Sequence, residues 1–333
     1  MRAILFFWLS TFIVTVVLNA QERDDFALER FNLYFENDIF DQTDRGYTNG
    51  VKFSAIYRVN TEVYAWLRPP LVNDASKNHF VTLSLGQEIY TPEDTSLEIP
   101  DPNDRPYAGW LYFGFALHQA DADQADSLEL QLGVVGPAAL GEEVQNGIHK
   151  LTGSHIAQGW DYQLHNELGV VLAYKHRWRY VSDKLFWGIN ADAVPFVGGA
   201  LGNVHTYANG GATIRIGWNI PKDFGKLVTH AGLEAGLPAF DKGSSITRST
   251  FSFYFLSAFD GYLMARNIFL DGNTFKDSAS VPERDYAMAE FTAGFGIDYS
   301  HYHLAFFNTH QTRNFPGDVD GFSFGTIMFS YVY

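Results

Sequence analysis

The chain has no cysteine in 333 residues. This excludes a disulfide framework, a thiolate metal site and a cysteine nucleophile. Positive charge is scarce: 23 lysines and arginines face 38 aspartates and glutamates, a net charge of −15 at pH 7. Nucleic acid is therefore excluded as a partner, because its phosphates would repel the protein. After the N-terminal segment, every apolar run is interrupted well before the ~20 residues that a membrane-spanning helix needs.

What is present begins with the layout of an export signal. Residues 1–20 carry Arg2, an apolar segment from Ala3 to Val17 and a Leu18-Asn19-Ala20 end, before the polar Gln21 to Asp25. This predicts a signal peptide cleaved after Ala20, and the apolar segment is short for an uncleaved anchor. The remainder, 21–333, has the length of one large domain or two ordinary ones; its pattern predicts one.

That pattern is alternation with period two. Leu111, Phe113, Phe115 and Leu117 share one face, and Trp110, Tyr112, Gly114, Ala116 and His118 the other. Leu128, Leu130, Leu132 and Val134 alternate with Glu129, Gln131 and Gly133. Val51, Phe53, Ala55 and Tyr57 alternate with Thr48, Gly50, Lys52 and Ser54. Strands are expected over 27–37, 47–57, 79–90, 107–118, 127–135, 163–180, 184–197, 205–218, 249–264, 284–299, 301–311 and 321–333. Lys226 to Leu237 also alternates and is expected to belong to a long connection over 220–247.

Period two alone fits a soluble sheet as well as a barrel. Export, the lack of a spanning helix and a high aromatic content favour the barrel, since only helices and closed barrels satisfy every backbone group in lipid. Trp66, Tyr90, Trp110, Trp160, Trp178, Tyr180, Trp187, Trp218, Tyr254, Tyr299 and Tyr302 lie near strand ends, as interfacial girdles do. The chain ends on Tyr333 of an alternating strand. The fold class predicted is all-β: a transmembrane antiparallel β-barrel of about 12 strands, with a short helix in an extracellular loop.

With both chain ends in the periplasm, odd-to-even connections face outward. Residues 38–46, 91–106 and 136–162 then share the extracellular mouth. The first is the tip of the Leu33–Lys52 hairpin, where Glu36, Asn37 and Asp38 on one strand and Thr48 on the next could converge on one point. Polar hairpin tips are usually just solvated. The third contains Gly141 to Leu151, with Val144, Ile148 and Leu151 at helical spacing and Gln145 four residues before His149 on another face. An apolar stripe could lie against the wall and aim that pair at the mouth.

Together these pieces resemble the LpxR family of outer-membrane lipid A 3′-O-deacylases. They are Glu36-Asn37-Asp38, Asp44 to Gly50, Gln87 to Pro92, Asp104 to Trp110, Gly133 to Pro137 with Gly141 to His149, Ala265 to Thr274, and the terminal strand. The resemblance implies a twelve-stranded barrel with its site between the wall and a loop helix, acting on lipid A in the outer membrane of a Gram-negative bacterium. It implies removal of the 3′-linked acyloxyacyl group and dependence on calcium, and its motif residues map onto Asn37, Asp38, Thr48, Gln145 and His149. A lysine that members can carry in the second outer loop has no counterpart between Thr91 and Trp110. Arg105 is the nearest cation and the candidate for substrate binding. A monomer is expected.

The residue types suit that chemistry. Histidine exchanges protons near neutrality, so His149 is the candidate to activate a water, with Gln145 positioning the water or the carbonyl. Asp38, Asn37 and Thr48 offer the hard oxygens that calcium prefers, and a cation there would polarise an ester carbonyl. A serine route competes: Gly321 to Gly325 matches G-x-S-x-G by letter, but within a strand and without a following helix. Ser154-His155 are adjacent only in sequence. A non-enzymatic barrel (a porin, adhesin or structural protein) is the alternative class.

Overall fold

The computed structural model describes residues 26–333, apart from 39–45, 61, 63, 66–69, 183–186, 226–236, 240–250 and 319–320. The expected signal peptide, the tip of the first hairpin and most of the 220–247 connection lie outside the described residues.

The strands are β1 (Phe26–Asn37), β2 (Gly46–Val59), β3 (Asn78–Thr91), β4 (Ala108–Ala120), β5 (Gln124–Val135), β6 (Glu167–Trp178, continued by Tyr180–Ser182), β7 (Ile189–Gly202), β8 (His205–Trp218), β9 (Ser252–Asn267), β10 (Ala287–Tyr299), β11 (Tyr302–Gln311) and β12 (Phe322–Val332). Both parts of β6 pair with β7 in one register, Arg177 with Phe196 and Tyr180 with Ala193, so they form one strand. Each strand pairs antiparallel with its neighbour in sequence, and β1 pairs with β12, Arg30 opposite Val332. The sheet therefore closes into a twelve-stranded barrel and has no free edge.

Burial fixes which face is which. On β5, Leu130 and Leu132 are 36% and 48% exposed, while Glu129 and Gln131 between them are 1% and 8% exposed. That is the reverse of a soluble sheet, and it repeats with Phe113 on β4 and Ile214 and Ile216 on β8. Apolar side chains face lipid and polar ones fill the lumen, where each must find a partner. His118 does so from both nitrogens, 2.9 Å from Thr82 Oγ1 and 2.8 Å from Ser127 Oγ, and Arg177 donates to the same Ser127 at 3.0 Å.

Two connections fold into the lumen. On the side of the chain ends, Arg215 donates to Asp223 Oδ1 and Asp192 Oδ2, both at 2.6 Å, and Arg30 reaches Asp223 at 3.4 Å. Beside these ion pairs Phe224, Leu237 and Ala239 pack against Ile56, Phe80 and Val194. Burial alone would raise the Asp223 carboxyl, but Arg215 and Arg30 hold it well below the usual carboxylate range. At the opposite mouth a short helix, Ile268–Asp271, inserts Phe269, which stacks on Tyr90 with centroids 4.0 Å apart. Arg284 pairs with Asp271 at 2.6 Å, and Arg266 donates to the Gly272 carbonyl, also at 2.6 Å. The 266–274 stretch is thus an outer-loop structural motif that caps the lumen.

The aromatic girdle is narrower than the sequence predicts. Tyr180, Trp187, Trp218, Tyr299 and Tyr302 are exposed at the end that holds the chain ends. Tyr90, Trp110 and Tyr254 are buried on the lumen side, because strand parity turns them inward.

Candidate active site

The site is built on the outside of the wall at the top of β1 to β4. Strand β1 alternates Asn32, Tyr34 and Glu36 into the lumen, where Glu36 accepts from Tyr47 Oη at 2.8 Å and Thr326 Oγ1 at 3.2 Å. Asn37 therefore points outward, with Asp38 directly after the strand. Glu36, grouped with them by sequence, faces the other side.

Thr48 reaches the same outside face through a β-bulge. Tyr47 pairs with Tyr90, yet Asn49 pairs with Ile89, so Thr48 is one extra residue. The insertion places Thr48 and Asn49 together, against the parity that assigns Thr48 to the face of Gly50, Lys52 and Ser54. Thr48 Oγ1 lies 2.7 Å from Thr91 Oγ1, and Thr91 shares its face with Ile89. Asn49 is directly opposite Asn37. It donates through Nδ2 to the Glu36 carbonyl at 3.1 Å, while its buried Oδ1 has no hydrogen-bond partner among the described residues. Asp38, Thr48 and Asn49 are all buried, and Thr48 and Asn49 lie on the outside face of the wall.

The second half of the site is the helix α1 (Gly141–Thr152), which packs on β3 and β4. The approach to it is set by Gly136 (φ 95°) and Leu140 (φ 62°), both left-handed. Gln87, on the outside of β3, donates to the Ala139 carbonyl at 2.6 Å. A Cβ on Gly141 would fall 2.7 Å from the Trp160 ring, so only glycine lets the helix start this close to β4. Trp160 packs with Ile89 and Tyr107, and Val144 lies against that cluster. The helix half and the wall half thus share one side of one wall segment, joined through Ile89 and Thr91.

Gln145 is buried and accepts from Trp160 Nε1 at 2.8 Å. Gly153 ends the helix in the left-handed region (φ 76°), and the chain returns alongside it. Asn146 pins this return by two bonds to Ala157, accepting from its N–H at 3.0 Å and donating to its carbonyl at 3.4 Å. The His155 carbonyl then meets His149 Nδ1. A carbonyl only accepts, so Nδ1 carries the proton and the neutral ring has its basic lone pair at Nε2. The expected apolar stripe is only partly used: Val144 packs inward, whereas Leu151 is 89% exposed.

Arg105 is buried at the outer mouth on the lumen side, its guanidinium 5.3 Å from the centroid of the Phe322 ring and 5.8 Å from that of Phe315. It does not share the outside face of Asn37, Thr48 and α1. Ser323 sits inside β12 with Oγ 3.0 Å from His310 Nδ1, and no helix follows, so no nucleophile elbow forms. Ser154 Oγ is engaged by Thr152 Oγ1 at 2.8 Å.

Among the described residues no three His, Cys, Asp or Glu side chains cluster as a metal site. A cation beside Asp38 would instead rely on amide, hydroxyl and main-chain oxygens. That donor set suits calcium, and Asn49 Oδ1, opposite Asn37 and unpartnered among the described residues, agrees with it.

A model of the LpxR outer membrane protein family matches residues 5–333. Among solved structures, LpxR from Salmonella typhimurium is similar at 20% identity, with 91% of this chain and 100% of that one covered and a TM-score of 0.72. The β domain of the Bordetella autotransporter BrkA covers 93% of this chain and 100% of its own, at 10% identity and a TM-score of 0.42. A search among curated proteins gives no match. The chain belongs to the LpxR outer membrane protein family.

Proposed function

We propose that this barrel, exported through a cleaved leader over residues 1–20, is a monomeric lipid A 3′-O-deacylase of the Gram-negative outer membrane. The observation that carries the reading is the His149 tautomer: a loop helix on the lipid side of the wall holds an imidazole with Nε2 basic. Family membership over residues 5–333 supports the substrate class.

In this reading His149 Nε2 takes a proton from a water, whose oxygen adds to the carbonyl carbon of the 3′-linked ester. Collapse of the tetrahedral intermediate breaks the bond to the sugar oxygen, and the proton on Nε2 passes to that leaving oxygen. Gln145, with Oε1 bonded to Trp160, acts as a donor through Nε2 and orients the water or the carbonyl. Asp38, Asn37 and Thr48 would hold a calcium ion, whose chemistry when bound is to polarise the ester carbonyl and stabilise charge on its oxygen. Trp160, Tyr107 and Ile89 keep the floor under the helix apolar. The experiment that tests the reading compares lipid A from cells with and without the protein by mass spectrometry.

A further inference from the structure

We infer that Asn49 is a further ligand of the divalent cation, binding it through Oδ1; this rests on the metal-assisted reading above. Its amide cannot be turned round, because Nδ2 faces the carbonyl of Glu36 at 3.1 Å and a carbonyl needs a donor. Oδ1 is therefore fixed as the outward atom. Asn49 is only 3% exposed, and its Oδ1 has no donor among the described residues. A buried amide oxygen left unbonded is costly, so the site is built for something that accepts its lone pairs.

The surroundings say what that is. The β-bulge puts Thr48 on the same face, the register puts Asn37 directly opposite, and the buried Asp38 follows Asn37. Hydroxyl and amide oxygens on one face, with a buried carboxylate next in the chain, suit a hard cation that takes six to eight oxygen ligands. With Asp38 as the one carboxylate among these four residues, a second amide oxygen adds a ligand without the repulsion of a second negative charge. The bulge has a purpose on this view: a regular strand would place Thr48 on the lumen side and break the set.

Two measurements on the folded, detergent-solubilised protein test the inference. Calcium titration by calorimetry should show Asn49→Ala binding at least ~10-fold more weakly than the wild type. Asn49→Asp should bind as tightly or more so, because it keeps an oxygen there although it loses the bond to Glu36. A purely structural asparagine would leave calcium affinity unchanged in both, and that result overturns the inference. If the variants do not assemble, anomalous scattering from wild-type crystals soaked in calcium decides. An ion within ~2.3–2.6 Å of Asn49 Oδ1 upholds it, and an ion beyond that reach overturns it. Calcium bound without Asn49 sinks this inference alone, whereas no calcium binding by the wild type sinks the metal-assisted reading as well.

Discussion

His149 Nδ1 donates to the backbone carbonyl of His155, six residues on in the same loop. The bond is local, yet its consequence reaches the chemistry, because it decides which ring nitrogen is basic. It exists because Gly153 reverses the chain and Asn146 holds Ala157 beside the helix.

His149→Ala should leave the barrel folded and inserted while lowering deacylation by roughly 10²–10⁴-fold, the scale of a general base. Heat-modifiable gel mobility must first show that the variant is folded. A folded variant with a near wild-type rate would make His149 a structural helix residue.

Gln145→Ala should cost less than His149→Ala, because Gln145 orients and transfers no proton. It also strips Trp160 Nε1 of its acceptor, which costs about 1–3 kcal/mol for a buried donor. Limited proteolysis of the 136–166 loop should therefore speed up in this variant. If proteolysis is unchanged, the Trp160 bond does not anchor the helix.

Chelation should abolish deacylation and added calcium restore it. Asp38→Ala should blunt the rescue, since it removes the formal negative charge from the proposed ligands. Full activity in excess chelator would reopen a metal-free or serine route.

Asp223→Asn should loosen the segment that fills the lumen at the end holding the chain termini. Arg215, with its side chain 1% exposed, would keep Asp192 as counter-ion, so the cost falls below the about 3–5 kcal/mol of a fully unpaired buried charge. The carboxyl titrates below its unfolded value, so its stabilisation is complete above ordinary carboxylate pKa values. It fades as pH falls from there through the folded pKa. Heat-modifiable gel mobility should show the variant unfolding at a lower temperature than the wild type at pH 7, with the gap closing in strong acid. Equal unfolding temperatures at pH 7 would mean that the Asp223 ion pairs do not hold this end of the barrel.

The barrel was legible because its physics is periodic. Leu130 and Leu132 against Glu129 and Gln131 already spell one apolar and one polar face, and the export signal with the lack of a spanning helix turned the apolar one toward lipid. The helix over 141–152 and its Gln145–His149 pair were legible for the same reason, at the helical period. Single-residue events were not. One inserted residue at Thr48 reverses its face, and nothing in the Tyr47-Thr48-Asn49 string marks a bulge. Asn49 gave no signal in the sequence, because an oxygen left unpartnered among the described residues is a property of packing alone. Tyr90, Trp110 and Tyr254 read as girdle by position near strand ends, where only parity sends them inward. The carbonyl that orients His149 belongs to the backbone, on which side-chain chemistry is silent.

The central claim is removal of the 3′-linked acyloxyacyl group from lipid A, and its most direct test is mass spectrometry of lipid A. Cells expressing the wild-type protein, the folded His149→Ala variant or neither should be compared under one growth condition. The account predicts a lipid A lighter by one 3′-acyloxyacyl group with the wild type only. Lipid A of unchanged mass, from cells in which the wild-type barrel is folded in the outer membrane and calcium is supplied, would contradict it.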